Sequence, residues 1–294
     1  MYPASGYSSS IEDNLFPLKY TLQIKGRLIV WDKPQIMGIL NTTPDSFFDK
    51  SRVSLKKDQV LAKAGKLIEE GASILDIGGY SSRPGAKEVS LEEEINRVVP
   101  AVEWITEHFP ETLVSVDTFR SRVAQLAIQS GAHIVNDISS GDLDEQMINT
   151  VASLRVPYIA MHMRGKPETM QSQTQYKDIL GELLNYFAQK VDLIKKSGIK
   201  DVIIDPGFGF AKSLEQNYFL LRNLNYFKTL GFPILVGISR KSMIYKLLDC
   251  NPEDALNGTT ALNMVALQHG ANILRVHDVK EANETLKLFS TVYS

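Results

Sequence analysis

Asn41, Asp117, Asn136, Asp205, Lys241, Arg275 and His277 stand out chemically because each lies at or just past the end of a short apolar run. Asp117, Asn136 and Asp205 offer acceptors and donors suited to a flat heterocycle with amide and amine edges. Arg275 with His277, and Ser82 with Arg83, offer an anion site, since a guanidinium matches phosphate geometry. Asn41 offers a carbonyl oxygen, and Mg²⁺ commonly enters a site through one or two protein oxygens plus substrate phosphates. The sequence has no His/Cys cluster at zinc spacing, no G-x-S-x-G elbow and no Walker-type loop. A covalent nucleophile is therefore not indicated. Positioning, with stabilisation of a departing anion, is the chemistry that fits.

Singly, each residue has a structural explanation. Asp76 sits inside an apolar run and is expected to tie loop backbone donors together. Asp137, beside Asn136, has the same option. Asn41, Asp117 and Asn136 are also good turn formers or helix caps. His162 is expected to pack or fix a loop, and Arg240 to form a structural ion pair. His133 and His269 are given no role. The joint pattern over many runs is what argues for a site.

The elements that must position these groups follow from periodicity. Apolar runs at 35–40, 73–77, 112–116, 133–135, 156–161, 201–204, 234–237 and 272–276 read as buried strands. Amphipathic helices are expected at 56–70, 90–105, 121–130, 176–196, 214–230, 241–248 and 258–268. Ser90 with Glu93 forms a capping-box signature. Residues 20–30 alternate loosely and read as a small hairpin before the main fold. Eight βα units over about 250 residues argue for an α/β fold of the (β/α)₈ TIM-barrel type. A doubly wound open sheet would usually show G-x-G-x-x-G after its first strand, where this chain has Asn41-Thr42-Thr43-Pro44. The expected organisation is an irregular segment over 1–19 and one domain over 20–294. In a barrel the strand ends converge on one mouth.

Composition narrows the function classes. The chain has 294 residues, with 44% hydrophobic and 22% charged, which is ordinary for a soluble protein. A formal net charge of −2 gives no support for a nucleic-acid surface. The single cysteine, Cys250, fits a reducing compartment. No apolar run approaches the ~20 residues that span a bilayer, and the first fourteen residues carry no signal-like core. A cytoplasmic protein without membrane or nucleic-acid partners is expected.

Several blocks carry a family likeness. Asn41-Thr42-Thr43-Pro44-Asp45-Ser46-Phe47-Phe48-Asp49 and Asp76-Ile77-Gly78-Gly79-Tyr80-Ser81-Ser82-Arg83-Pro84-Gly85 resemble the two loop signatures of dihydropteroate synthases. The likeness continues at Ser115-Val116-Asp117-Thr118, Asn136-Asp137-Ile138-Ser139, Met161-His162-Met163-Arg164-Gly165, Asp205-Pro206-Gly207-Phe208-Gly209-Phe210, Ser239-Arg240-Lys241-Ser242 and Arg275-Val276-His277-Asp278. The blocks occur in family order across nearly the whole folded chain.

The resemblance implies an enzyme joining 6-hydroxymethyl-7,8-dihydropterin pyrophosphate to 4-aminobenzoate in folate biosynthesis. It implies pterin contacts from Asp117, Asn136, Met161, Asp205, Phe210 and Lys241, and a Mg²⁺ ligand in Asn41. Phe47, Ser82, Pro84, Lys241 and Ser242 would form the 4-aminobenzoate pocket. Ser82, Arg83, Arg275 and His277 would hold pyrophosphate, with Asp49 ordering the first loop. It also implies a homodimer and sulfonamide inhibitors. Two departures touch the loops: Lys50-Ser51 stand where the family often has Gly-Gly, and Tyr80 and Ser82 where Glu and Thr are frequent. A methyltetrahydrofolate-corrinoid methyltransferase would share the pterin floor, but has no use for the pyrophosphate groups. A catalytically silent pterin-binding paralogue is the other alternative.

Overall fold

The computed structural model describes residues 19–42, 55–80, 88–166 and 169–293. It opens on a two-stranded hairpin, β1 (Tyr20–Ile24) and β2 (Arg27–Trp31), paired antiparallel from Tyr20↔Trp31 to Ile24↔Arg27. Its two-residue turn places Lys25 and Gly26 at φ 47° and 78°, the left-handed geometry that matches strand twist.

Eight strands follow: β3 (Gln35–Asn41), β4 (Ile74–Gly78), β5 (Leu113–Asp117), β6 (Ile134–Asp137), β7 (Tyr158–Met161), β8 (Val202–Asp205), β9 (Leu235–Val236) and β10 (Ile273–Val276). They form one parallel sheet in the order β8-β7-β6-β5-β4-β3-β10-β9. A parallel bridge between Ile204 and Ile234 joins the two ends, so the sheet closes on itself. The (β/α)₈ barrel with its hairpin is the architecture expected from the alternating runs.

Side-chain alternation along each strand explains how the barrel is filled. Outward residues such as Leu40, Leu75, Ile77, Val114 and Val116 pack against Ala64, Leu67, Val98, Ala101, Ala124 and Ala127 of the surrounding helices. Both faces are thus buried, which is why the strands read as continuous apolar runs rather than alternating ones. Inward, Met37, Ile74, Ile134, Ile159, Ile203, Leu235 and Ile273 form one apolar layer, and Leu22, Ile24 and Trp31 of the hairpin pack against it from below. The hairpin is held there by Gln23 N donating to Asp201 Oδ2 at 2.9 Å and Lys25 Nζ donating to the Gly131 carbonyl at 3.0 Å. Two residues further along, the inward positions turn polar on five of the strands: Asp76, Ser115, Asn136, Asp205 and Arg275.

The helices are α1 (Lys57–Glu69), α2 (Leu91–His108), α3 (Ser121–Gln129), α4 (Met147–Leu154), α5 (Ile179–Lys196), α6 (Leu214–Arg222), α7 (Ser242–Tyr245), α8 (Leu256–Gln268) and α9 (Val279–Val292). The capping box expected at Ser90 is half formed. The Ser90 side chain accepts from Glu93 N, but the Glu93 carboxylate turns instead to Arg97. Helix 214–230 ends early at Arg222 and continues as a 3₁₀ segment, Leu224–Leu230. The periodicity reading assigned no helix to α4 or α9. α4 is short, has no side-chain cap, and ends on Arg155 at φ 56° rather than on a glycine. α9 buries Val279, Ala282, Leu286 and Phe289, a clear helical stripe.

Candidate active site

Within the polar inward layer one network is centred on Asp76. Its Oδ2 accepts from Asn136 Nδ2 at 3.0 Å and from Arg275 Nε at 2.6 Å. Arg275 Nη2 then donates to Asp117 Oδ2 at 2.5 Å. Asn136, Asp117 and Arg275, from three strands, are thereby tied to a fully buried carboxylate on a fourth. Asp76 binds side chains rather than loop backbone donors, contrary to the expectation from its apolar context. Asp137 does what was expected of Asp76: it accepts from Ser139 N, Ser139 Oγ, Gly141 N and Tyr158 OH, and so fixes the loop after β6.

Asp117 closes β5 at the mouth. Burial pushes its carboxyl up to about 7, with Asp76 and other carboxylates adding to the rise and Arg275 opposing it. Asn41 closes β3, half-buried. Its Oδ1 and Asp117 Oδ2 each lie 3.7 Å from the point where a Cβ on Gly78 would sit, so the two oxygens flank the same bare stretch of β4. Asp205 closes β8 and accepts from Gly207 N at 2.7 Å; burial raises its carboxyl, against the pull of Lys241. Lys241 donates to the Phe208 carbonyl and stands 4.7 Å over the Phe210 ring. Burial lowers its ammonium to about 8. Ser242, next in the chain, opens α7. Met161 and Phe210 share an apolar patch with Ile138, Met163, Met170, Ala211 and Phe119. His277 Nδ1 lies 3.1 Å from Ser239 Oγ.

The structure therefore brings Asn41, Asp117, Asn136, Met161, Asp205, Phe210, Lys241, Arg275 and His277 to the C-terminal end of the barrel. Phe47, Asp49, Ser82, Arg83 and Pro84 lie outside the described residues. The residues that flank segment 81–87 are firmly held. Arg97 donates to the Gly79 carbonyl at 2.9 Å, Arg120 to the Val89 carbonyl at 2.7 Å, and the Arg120 guanidinium sits 5.5 Å from the Tyr80 ring. Arg120 is anchored in turn by buried Glu94, which also accepts from Thr118, the residue after Asp117.

His162 and Arg240 have the structural roles expected of them. His162 packs edge-on against Tyr186, and Arg240 makes a two-bond fork to Asp278. One residue was missed. Lys212 is almost wholly buried, donates to the Gly207 and Phe210 carbonyls at 2.9 Å, and lies 3.1 Å from His162 Nδ1. Burial lowers its ammonium to about 7. It braces the turn that presents Phe208 and Phe210 to Lys241. A lysine after a glycine-dense turn reads as exposed in sequence, so no signal marked it.

That turn gives a prediction. Gly207 has φ 72°, and a Cβ there would lie 2.1 Å from the His162 carbonyl oxygen. Gly207→Ala is expected to destabilise the fold by at least ~2 kcal/mol, from left-handed strain plus displaced backbone. Denaturant unfolding measures it, and a variant of unchanged midpoint would show that the turn relaxes freely.

The comparisons agree with this geometry. The chain belongs to the pterin-binding enzyme family, whose profile matches residues 37–277. It is 44% identical over 264 residues to the dihydropteroate synthase of Escherichia coli, covering 89% of this chain and 92% of that one. Its fold matches a Yersinia pestis dihydropteroate synthase solved with a sulfonamide drug complex, with TM-score 0.86, 38% identity, and 93% and 98% of the two chains covered. It matches equally a Xanthomonas albilineans dihydropteroate synthase solved with 4-aminobenzoic acid, with TM-score 0.86, 38% identity, and 94% and 99% covered. Within the pterin-binding enzymes, the chain falls among the dihydropteroate synthases.

Proposed function

We propose that this chain condenses 6-hydroxymethyl-7,8-dihydropterin pyrophosphate with 4-aminobenzoate, giving 7,8-dihydropteroate and pyrophosphate. The observation that carries the reading is the polar layer of Asp117, Asn136 and Asp205 facing Lys241 beside an apolar patch, in a chain related over most of its length to these synthases. The acceptors suit the N–H edges of a pterin, Lys241 suits its carbonyl or ring nitrogen, and Met161 and Phe210 suit its faces.

In the reaction the bond between the pterin methylene carbon and the pyrophosphate oxygen breaks, and the oxygen keeps the electron pair. The cation left on the pterin is stabilised by the ionised Asp117 carboxylate. The arylamine nitrogen then bonds to the methylene carbon and releases a proton. Arg275 holds two carboxylates through Nε and Nη2; its Nη1 carries no protein bond among the described residues and is left for the departing anion. His277, Ser82 and Arg83 complete that anion site. Phe47, Ser82, Pro84 and Ser242 surround the arylamine with Lys241, and Asp49 orders the first loop. Sulfonamides, which resemble 4-aminobenzoate, are expected to compete there.

Among the described residues no group of three His, Cys, Asp or Glu is placed to hold a metal. A single carboxamide oxygen, Asn41 Oδ1, beside the Asp117 carboxylate fits an ion bound mainly by substrate phosphates and water. Asn41 would therefore hold Mg²⁺, which when bound neutralises charge on the pyrophosphate. A homodimer and a cytoplasmic location complete the proposal; no described helix is long and apolar enough to cross a membrane.

The test is to mix the protein with both substrates and Mg²⁺ and to measure dihydropteroate and pyrophosphate together. Equal amounts that vanish with chelator are expected. Pyrophosphate alone would mean a working pterin half-site without arylamine capture. Pterin binding without either product would favour the silent paralogue.

A pH dependence follows from Lys241. Its ammonium, lowered to about 8 by burial, is charged below that pH and neutral above it. Affinity for the pterin substrate is expected to fall as pH rises from about 7 through 8. Lys241→Met should remove this decline and weaken binding at neutral pH; a decline that survives the substitution belongs to another group.

A further inference from the structure

We propose that Asp76 is a positioning residue that fixes which end of the Asn136 carboxamide faces the ligand, and thereby selects amino-bearing over oxo-bearing heterocycles. The proposal rests on the pterin reading above and adds to it a residue that reading leaves out.

A carboxamide has a donor end and an acceptor end of nearly equal size, so its orientation is set by its neighbours. Asn136 lies next to Asp76 Oδ2, an oxygen already accepting from Arg275 Nε at 2.6 Å. That oxygen can only accept again, so Asn136 must turn Nδ2 toward it, and does so at 3.0 Å. Asn136 Oδ1 is left to face the mouth. It accepts no bond from the described residues, yet it is not sealed away as Asp76 Oδ1 is. With Asp117 on the neighbouring strand β5 and Asp205 on β8, two strands away, the ligand then meets three acceptors at the mouth. Such a surface welcomes N–H groups and opposes a carbonyl oxygen, because acceptor against acceptor leaves both unpaired. Without Asp76 the carboxamide is free to reverse and present Nδ2 instead.

Asp76 also neutralises Arg275, so loss of affinity alone would not separate the two roles. The ratio of affinities does. Binding of 6-hydroxymethylpterin and of its 2-oxo counterpart, 6-hydroxymethyllumazine, is measured on the full chain by calorimetry. The unaltered protein is expected to prefer the amino compound by up to about a hundredfold, as an unpaired buried polar group implies. Asp76→Leu, which removes the acceptor, is expected to narrow the preference by about tenfold or more. Asp76→Asn keeps an oxygen for both donors. Its amide nitrogen would take the place of Oδ1, which accepts no bond from the described residues and so gives up no existing contact. Asp76→Asn is therefore expected to retain the preference.

A Leu variant that folds and keeps the full preference would overturn the proposal, as would an Asn variant that loses as much as Leu. If Asp76→Leu does not fold, proton exchange of the Asn136 side-chain amide in the unaltered protein decides. Slow exchange with and without ligand supports the donor end turned inward. Fast exchange that slows only on pterin binding overturns it. Failure of the unaltered protein to bind either compound would count against the pterin reading itself, and the exchange of Asn136 in the free protein would still test Asp76.

Discussion

Asp117→Asn is expected to lower turnover by about 10²–10³-fold, the usual effect of removing one preorganised electrostatic group from a site where charge develops. The substitution keeps an oxygen for Arg275 Nη2, now at 2.5 Å from Asp117 Oδ2, so the network survives. Stability is expected to change by only ~1 kcal/mol, the net scale of one hydrogen bond. The carboxylate itself is what the variant lacks, and the pterin cation needs it only after pyrophosphate has begun to leave. The substrate KM should therefore move far less than kcat. Steady-state kinetics with a parallel thermal melt measures both, and a variant with normal turnover removes Asp117 from the mechanism.

The second large effect is on folding. Among the described residues Arg275 is the one cation bonded to both Asp76 and Asp117. Arg275→Met would leave the fully buried Asp76 carboxylate and the half-buried Asp117 carboxylate without it. A cost of about 3–5 kcal/mol is expected, because breaking a buried pair strands the remaining charge. Activity should fall as well, since the anion site loses its guanidinium. Adding Asp76→Asn to Arg275→Met removes one stranded charge, so the double variant should recover part of the lost stability but not the activity. Chemical unfolding of the two variants checks this. Equal stability of single and double variants would mean that Asp76 is not the charge Arg275 compensates.

Much of the fold was legible because seven of the eight barrel strands are mainly apolar runs of four to seven residues, and β3, β5, β6 and β8 end in a polar one. Burial on both faces produces the run, and the barrel mouth produces the polar end. The joint reading across strands therefore found Asn41, Asp117, Asn136, Asp205 and Arg275 without any contact information. It could not divide labour between Asp76 and Asp137. Both are enclosed acids in apolar surroundings, and only the closed sheet puts Asp76 next to Arg275, 199 positions away. Lys212 escaped notice because its partners are backbone carbonyls, which every sequence contains. α4 lacked caps and a terminal glycine, the signals that mark a helix most clearly.

The hairpin that seals the lower end of the barrel has a consequence for the electric field above it. Beneath the charged layer lies hydrocarbon from seven strands, backed by Leu22, Ile24 and Trp31, so water reaches Asp117 and Lys241 from the mouth rather than from the hairpin end. A ligand that covers the mouth removes the last high-dielectric boundary, and the attraction between fixed charges and any charge forming on the ligand strengthens at that moment. The far end of the barrel, remote from every reacting atom, thus helps to set how strongly the site responds to being filled.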